Sequence, residues 1–201
     1  PTTIPVAISA RHVHLTEENI GSLFGPGYRL RVKAPLSQPG QFAAEESVTL
    51  EGPKGQLRHV RIVGPPRAEN QVEISRTDEL ILGLDAPVRV SGELARTPGI
   101  RVVGPVGSVH LDHGVVLAQR HLHMNLEEAE QLGVHDRDEV QVALTGHGRD
   151  LIFQDVIVRV SSDYRLELHL DTDEGNAAGV RPGDRARLLC NDSPGSVLKA
   201  P

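Results

Sequence analysis

The chain has 201 residues, 38% of them hydrophobic, and a formal net charge of −6, which allows one domain or two small ones. Three Phe, two Tyr and no Trp offer no stacking platform for bases, and the negative charge argues against general nucleic-acid binding. A single cysteine, Cys190, excludes an internal disulfide, a Cys-based zinc finger and a dithiol redox pair.

The core must therefore be Val, Leu, Ile and Ala. Residues 4–9 (IPVAIS) read as a strand running into Arg11-His12-Val13-His14-Leu15. Thr16 is a good helix N-cap, Glu17 and Glu18 suit the positive end, and Gly25 stops the helix. Residues 28–33 alternate as a strand, and 34–46 lack periodicity and read as a loop. Short strands follow at 47–51, 57–63 and 71–75, with Gly52-Pro53-Lys54-Gly55 as a hairpin turn and 64–70 as a Pro-stiffened loop. Thr77 caps a short turn through Leu82, and strands at 87–92, 100–103, 108–111 and 115–119 complete the first part.

The opening layout then repeats. Arg120-His121-Leu122-His123-Met124 is a near-copy of the first motif, followed by Asn125 as a helix cap and Gly133 as its stop. Strands at 139–144, 151–160 and 166–170, a helix at 174–179 and a strand at 185–190 follow, with 191–201 as a loose tail. Many short strands against three short helices predict a mainly β protein: two small antiparallel β-barrels capped by short α-helices, internally duplicated. No run approaches the ~20 apolar residues of a membrane span, and residues 1–11 lack signal-peptide character, so a soluble, intracellular protein is expected.

Of the ten histidines, the two His-x-His pairs stand out. In a strand, side chains at i and i+2 share a face, so each pair aims two imidazoles at one point while Val13 or Leu122 faces a core. That pattern points to one metal centre or two. His59, His135 and His147 lie among charged or turn residues and read as surface groups; His110 and His113 frame a turn. His169 lies on an alternating strand, as a core histidine or as a further ligand. Glu73, between Val72 and Ile74, is either a carboxylate ligand or a solvated residue, since apolar neighbours facing inward would turn it out. Arg67, in Gly64-Pro65-Pro66-Arg67, is either a surface arginine or a rigidly held grip for phosphate or carboxylate. Cys190 reads as structural.

The segments ISARHVHL, LSQPGQFAAEE, QVEISRTDEL, AQRHLHMN and LHLDTDEGNAAGV resemble the PduL-type phosphate propanoyltransferases, the propanediol-utilisation phosphotransacylases of bacterial microcompartments. The resemblance spans residues 4–190. It implies reversible transfer of a short acyl group, acetyl or propanoyl, from coenzyme A to inorganic phosphate, with two zinc ions per subunit. It implies one barrel from residues 1–10 and 119–190 and a second from 11–118, with an excursion near 26–46. On the matching positions, His12, His14 and Glu73 would hold one zinc, and His121, His123 and His169 the other. Arg67 would hold phosphate, and Ser9, Lys33, Arg61 and Asn176 would lie near CoA. The resemblance further implies a homodimer, an acetate or propanoate kinase as pathway partner, and residence in the microcompartment lumen or the cytoplasm. The targeting helix that often precedes the first strand of microcompartment members is not seen in this sequence.

The chemistry expected of such a site is direct attack of a bound phosphate on the thioester, with no acyl-enzyme. The main rival is a bicupin-type metal-dependent oxygenase or ligand-binding protein, because His12-x-His14 with Glu18, and His121-x-His123 with Glu127, mimic the cupin spacing. Against it, both glutamates follow a helix cap and would leave the strand face. A second rival is a non-catalytic scaffold with closed, structural zinc sites.

Overall fold

The alternating segments and Gly/Pro turns of this chain fold, in a computed structural model that describes residues 3–146 and 148–189, into mainly β structure with four short helices. In chain order these are β1 (Thr3–Ser9), β2 (His12–His14), α1 (Glu17–Phe24), β3 (Val32–Pro35), β4 (Phe42–Glu51), β5 (Gln56–Gly64) and β6 (Gln71–Glu73). Then come α2 (Arg76–Leu82), β7 (Val88–Arg89), β8 (Ile100–Val103), β9 (Ser108–Leu111) and β10 (Val115–Ala118). The last part holds β11 (His121–Met124), α3 (Leu126–Leu132), β12 (Glu139–Leu144), β13 (Leu151–Val160), β14 (Glu167–Asp171), α4 (Thr172–Ala178) and β15 (Arg185–Leu189). No helix among the described residues is long and apolar enough to cross a membrane.

The chain divides into two units. One takes the residues up to Ala7, Arg120–Leu170 and those from Gly175; the other takes Ile8–Gln119 and Asp171–Glu174. The first unit is a closed barrel of order β1-β14-β11-β13-β12-β15, filled by Ile4, Leu122, Met124, Val142, Leu144, Val156, Val158 and Leu168. The second is a nine-stranded sheet of order β7-β10-β6-β2-β5-β4-β8-β9, with β3 on β4, around Val13, Leu15, Ile20, Leu23, Leu50, Ile62, Val72 and Ile74. The mainly β, helix-capped, duplicated architecture is the expected one. The pairing is less uniformly antiparallel than expected: β2 runs parallel to β5, β11 to β13, and β10 to both β6 and β7. Each parallel neighbour of a His strand is reached after an intervening helix and further strands, the long connection that parallel pairing requires.

The duplication is structural as well as sequential. Each His strand, β2 or β11, lies between one parallel partner (β5 or β13) and one antiparallel partner (β6 or β14). Each is followed by a short helix capped by Thr16 or Asn125, whose side chains accept from the backbone N–H of Asn19 and Glu128. The antiparallel partners lead into further helices closed by reciprocal capping boxes, Ser75 with Asp78 and Asp171 with Glu174.

Several local expectations are corrected. Residues 34–46 are not all loop: β3 and the first half of β4 pair here, and Ala43 and Ala44 are both buried, which erases the alternation. Tyr28 and Arg31 do not belong to a strand. Instead Tyr28 Oη donates to Glu46 at 2.7 Å, and Arg31 Nε lies 3.0 Å from the same carboxylate, which buries a charge within β4. The turn at 77–82 is a full helix, α2, and its cap is Ser75 rather than Thr77, because the capping box needs the acid at Asp78. Of 87–92, only Val88–Arg89 is strand. His147, Cys190 and the tail at 191–201 lie outside the described residues.

Two Gly-Pro-x-Gly hairpin turns hold the helices that follow the site strands. Lys54 N–H donates to Leu82 O at the end of α2, and Val106 N–H donates to Leu23 O at the end of α1, both at 3.0 Å. The turns sit so close that a Cβ on Gly104 would lie 2.5 Å from Leu23 O, and one on Gly52 would overlap Leu82 O. Gly104→Ala is therefore expected to destabilise the fold by about 1–3 kcal/mol through overpacking. Gly21→Ala, inside α1 with nothing near the new methyl, is expected to stabilise it by about 0.5–1 kcal/mol. Urea unfolding of the two variants reads the opposite signs.

Candidate functional site

In the second unit, β2 and β6 pair with His12 opposite Glu73, Val13 opposite Val72 and His14 opposite Gln71. Residues directly opposite share a face, so Val13 and Val72 enter the core together while His12, His14, Gln71 and Glu73 gather on the other side. None of the four is more than 8% exposed. Glu73 thus does not face solvent, as its apolar neighbours would suggest: β6 lies inside the sheet, and its second face is covered too.

The imidazole orientations are set by backbone carbonyls. His12 Nδ1 donates to Ala10 O at 2.9 Å and His14 Nδ1 to Val63 O at 3.1 Å. A carbonyl only accepts, so both protons sit on Nδ1, and both Nε2 atoms present lone pairs, 3.1 Å apart. Glu73 adds carboxylate oxygens 3.6 Å from His12 Nε2 and 4.0 Å from His14 Nε2. Three electron-pair donors converging without a proton between them repel one another unless a cation sits among them. Ligands on one tetrahedral zinc lie about 3.3 Å apart, given Zn–N bonds of ~2.0–2.1 Å. The donor set therefore fits a metal ion.

The first unit repeats the plan with a different third member. His121 lies opposite His169 and His123 opposite Glu167, with the His121–His123, His121–His169 and His123–His169 ring centroids 4.5, 4.9 and 4.7 Å apart. His123 is buried, and neither of its ring nitrogens has a hydrogen-bond partner. A buried imidazole without a partner costs desolvation unless a metal takes the lone pair. This trio also fits a metal ion.

Burial pushes the His14 pKa down to about 3, helped by neighbouring His12 and Arg67 and opposed by Glu73. His123 is lowered far below the usual imidazole range, first by burial, then by His121, His169 and Arg159. Both are held neutral, the state that ligates. In metal-free protein the unfolded chain takes up a proton at His14 near pH 6.5 that the folded chain refuses until about 3. Stability from this residue is therefore complete above about 6.5 and falls as pH drops through that window. His14→Gln is expected to flatten the pH dependence of apo-protein unfolding by about 1.4 kcal/mol per pH unit near pH 5, read by urea titrations at several pH values.

Arg67 lies at this first centre: its charge acts on His14, and its backbone N–H donates to Leu15 O at 2.9 Å, tying the Pro-stiffened loop to the end of the His strand. Arg61 shares the His12 face through the parallel register of β2 and β5. It is exposed, as are Lys33 on β3 and Asn176 on α4, while Ser9 is half-buried at the end of β1. His59, His110, His113 and His135 are exposed, and His113 is paired with Glu69 at 2.8 Å. Glu18 and Glu127 are exposed on α1 and α3, off the His faces, so the cupin-like ligand set is not assembled.

Four neighbours escaped sequence reading. Gln71 and Ser91 bond to Glu73, Glu167 bonds to His169, and Arg159 pairs in register with His123, its guanidinium 5.6 Å above the Tyr164 ring. The i, i+2 spacing of Gln71 with Glu73 and of Glu167 with His169 was the available signal.

Comparison with known proteins identifies the family. A family model described as phosphate propanoyltransferase matches residues 5–181. Curated proteins named phosphate propanoyltransferase are similar throughout. One from Thermotoga maritima is 52% identical over 92% of this chain and 89% of its own length. Relatives from Citrobacter rodentium and Salmonella typhimurium are 54% and 53% identical, each over 92% of this chain and over 88% and 89% of their own lengths.

Proposed function

From the premise that the chain belongs to the phosphate propanoyltransferase family, and so is an acyltransferase working between coenzyme A and phosphate, we propose that it transfers acetyl or propanoyl groups with zinc at both His clusters. The observation that carries the metal reading is the pair of His12 and His14 lone pairs, 3.1 Å apart and facing Glu73. Two imidazoles with a carboxylate, or three imidazoles, are donor sets that suit zinc. When bound, zinc supplies Lewis-acid charge for phosphate oxygens, the thioester carbonyl or the departing thiolate.

The residues divide the remaining work. Arg67 holds and orients phosphate beside the His12–His14–Glu73 centre, offsetting its charge and removing the entropy cost of a bimolecular encounter. A phosphate oxygen attacks the thioester carbon, the C–S bond breaks, and acyl phosphate and CoA thiolate leave. Lys33 and Arg61 are exposed cations suited to the phosphates of CoA, with Ser9 and Asn176 as polar contacts. The side chains gathered at the two clusters are imidazoles and one carboxylate whose electron pairs the metal reading assigns to ligation, which leaves the bound phosphate as the nucleophile of this reading. Because acyl phosphate is an energy-rich phosphoryl donor, the reading also assigns a kinase that consumes the product. It places the work in the cytoplasm or a microcompartment lumen, as a homodimer by family precedent.

The test is thiol release from acetyl-CoA and propanoyl-CoA with and without phosphate, alongside exchange of labelled CoA into acyl-CoA. Release that requires phosphate, with no exchange in its absence, is expected. Phosphate-free exchange or a stable acylated protein would overturn direct attack; phosphate-independent release would overturn the assignment.

A further inference from the structure

In both centres the residue two positions before the third metal-facing side chain is hydrogen-bonded to that side chain, and its polarity is inverted to match. Before the carboxylate stands an amide donor: Gln71 Nε2 donates to Glu73 Oε1 at 2.5 Å. Before the imidazole stands a carboxylate acceptor: His169 Nε2 donates to Glu167 Oε2 at 2.7 Å. Both neighbours are buried, and each lies opposite the second histidine of its motif, Gln71 across from His14 and Glu167 across from His123.

Resting on the metal reading above, we propose that Gln71 and Glu167 are matched positioning residues, each fixing which atom of Glu73 or His169 faces its metal. The orientation of Gln71 is unambiguous. Its Oε1 accepts from Gly92 N–H at 2.9 Å, so Nε2 must be the donor, and it also donates to Ser91 Oγ at 2.8 Å. The Ser91 hydroxyl donates to Glu73 Oε1 at 3.3 Å. Two donors thus load Oε1, and Oε2 is turned to His12 Nε2 at 3.6 Å. In the other centre a carboxylate can only accept, so the His169 proton is held on Nε2 and the Nδ1 lone pair becomes the ligating one. The Ala10 and Val63 carbonyls do for His12 and His14 what Glu167 does for His169, with the ring turned the other way. Such outer partners fix tautomer and ring orientation and raise ligand basicity.

The experiment titrates zinc(II) into chelator-stripped protein against a chromophoric competitor. One-site backgrounds separate the centres: His12→Ala/His14→Ala leaves the His169 centre, and His121→Ala/His123→Ala leaves the Glu73 centre. Glu167→Leu in the first background and Gln71→Met in the second are expected to weaken zinc binding about 10–100-fold, with any fall in metal-free stability smaller than the loss in zinc-binding free energy. Glu167→Gln, which keeps the size and an acceptor oxygen, is expected to fall between wild type and Glu167→Leu. Unchanged zinc affinity in Glu167→Leu and Gln71→Met, with wild type binding two ions, would overturn this inference alone. So would a loss in Glu167→Leu as complete as in His169→Ala, since Glu167 would then be a ligand. An equal fall in metal-free stability would assign both residues to the fold instead. Wild type binding no zinc would overturn the metal reading and this inference with it.

Discussion

Arg67→Ala is expected to lower kcat/KM for phosphate by about 10²–10³-fold while the protein keeps both metal ions. The loop that carries Arg67 is held through its backbone, by the N–H of Arg67 on Leu15 O, so truncating the side chain leaves that anchor in place. What disappears is a guanidinium whose charge already reaches His14. In the proposed role of Arg67, phosphate then loses both a counter-charge and a planar, two-pronged grip, and Arg67→Lys, a point charge, is expected to restore only part of the rate. Steady-state kinetics with phosphate varied, beside elemental analysis of the same preparation, checks this. Metal lost along with rate would make Arg67 structural.

A loss of comparable or greater size, about 10³-fold in turnover for several kcal/mol of forfeited charge stabilisation, is expected from His14→Ala, with one metal ion gone per chain. His14 is 2% exposed, and its Nδ1–H occupies the Val63 carbonyl, so the variant also strands a buried acceptor. That adds about 1–3 kcal/mol of destabilisation. Denaturant unfolding separates the structural effect from the metal effect: the metal-free variant shows the stranded acceptor together with the lost packing of the imidazole, and metal-loaded wild type shows the further stabilisation that a ligand binding only the folded state confers. A variant that retains two ions would contradict the ligand role.

The sequence carried the strands and the His-x-His motifs well, because the Val- and Ile-rich runs of β12 and β13 and the repeated Arg-His-x-His spacing are local signals that tertiary packing leaves intact. It carried β4 badly. Ala43 and Ala44 are consecutive buried residues, and Glu46 is a buried acid held by Tyr28 and Arg31, so that stretch reads as polar and aperiodic. Glu73 failed the inside–outside rule for a related reason. A strand in the middle of a sheet can be covered on both faces, and one face here is a polar cluster rather than a second apolar layer. Which atoms turn inward was not legible at all. The tautomers of His12 and His14 depend on the carbonyls of Ala10 and Val63, and that of His169 on Glu167. The polarity match between Gln71 and Glu73, and between Glu167 and His169, becomes visible only once the register of β6 and β14 against the His strands is known.

Metal-dependent acyl transfer between CoA and phosphate must release thiol and form acyl phosphate in equal amounts. Thiol release and acyl phosphate formation from propanoyl-CoA and phosphate are followed together in purified, chelator-stripped and zinc-restored protein. Equal amounts of thiol and acyl phosphate, lost on stripping and regained with zinc, are predicted. Thiol release that survives stripping, or that proceeds without acyl phosphate, would contradict the account.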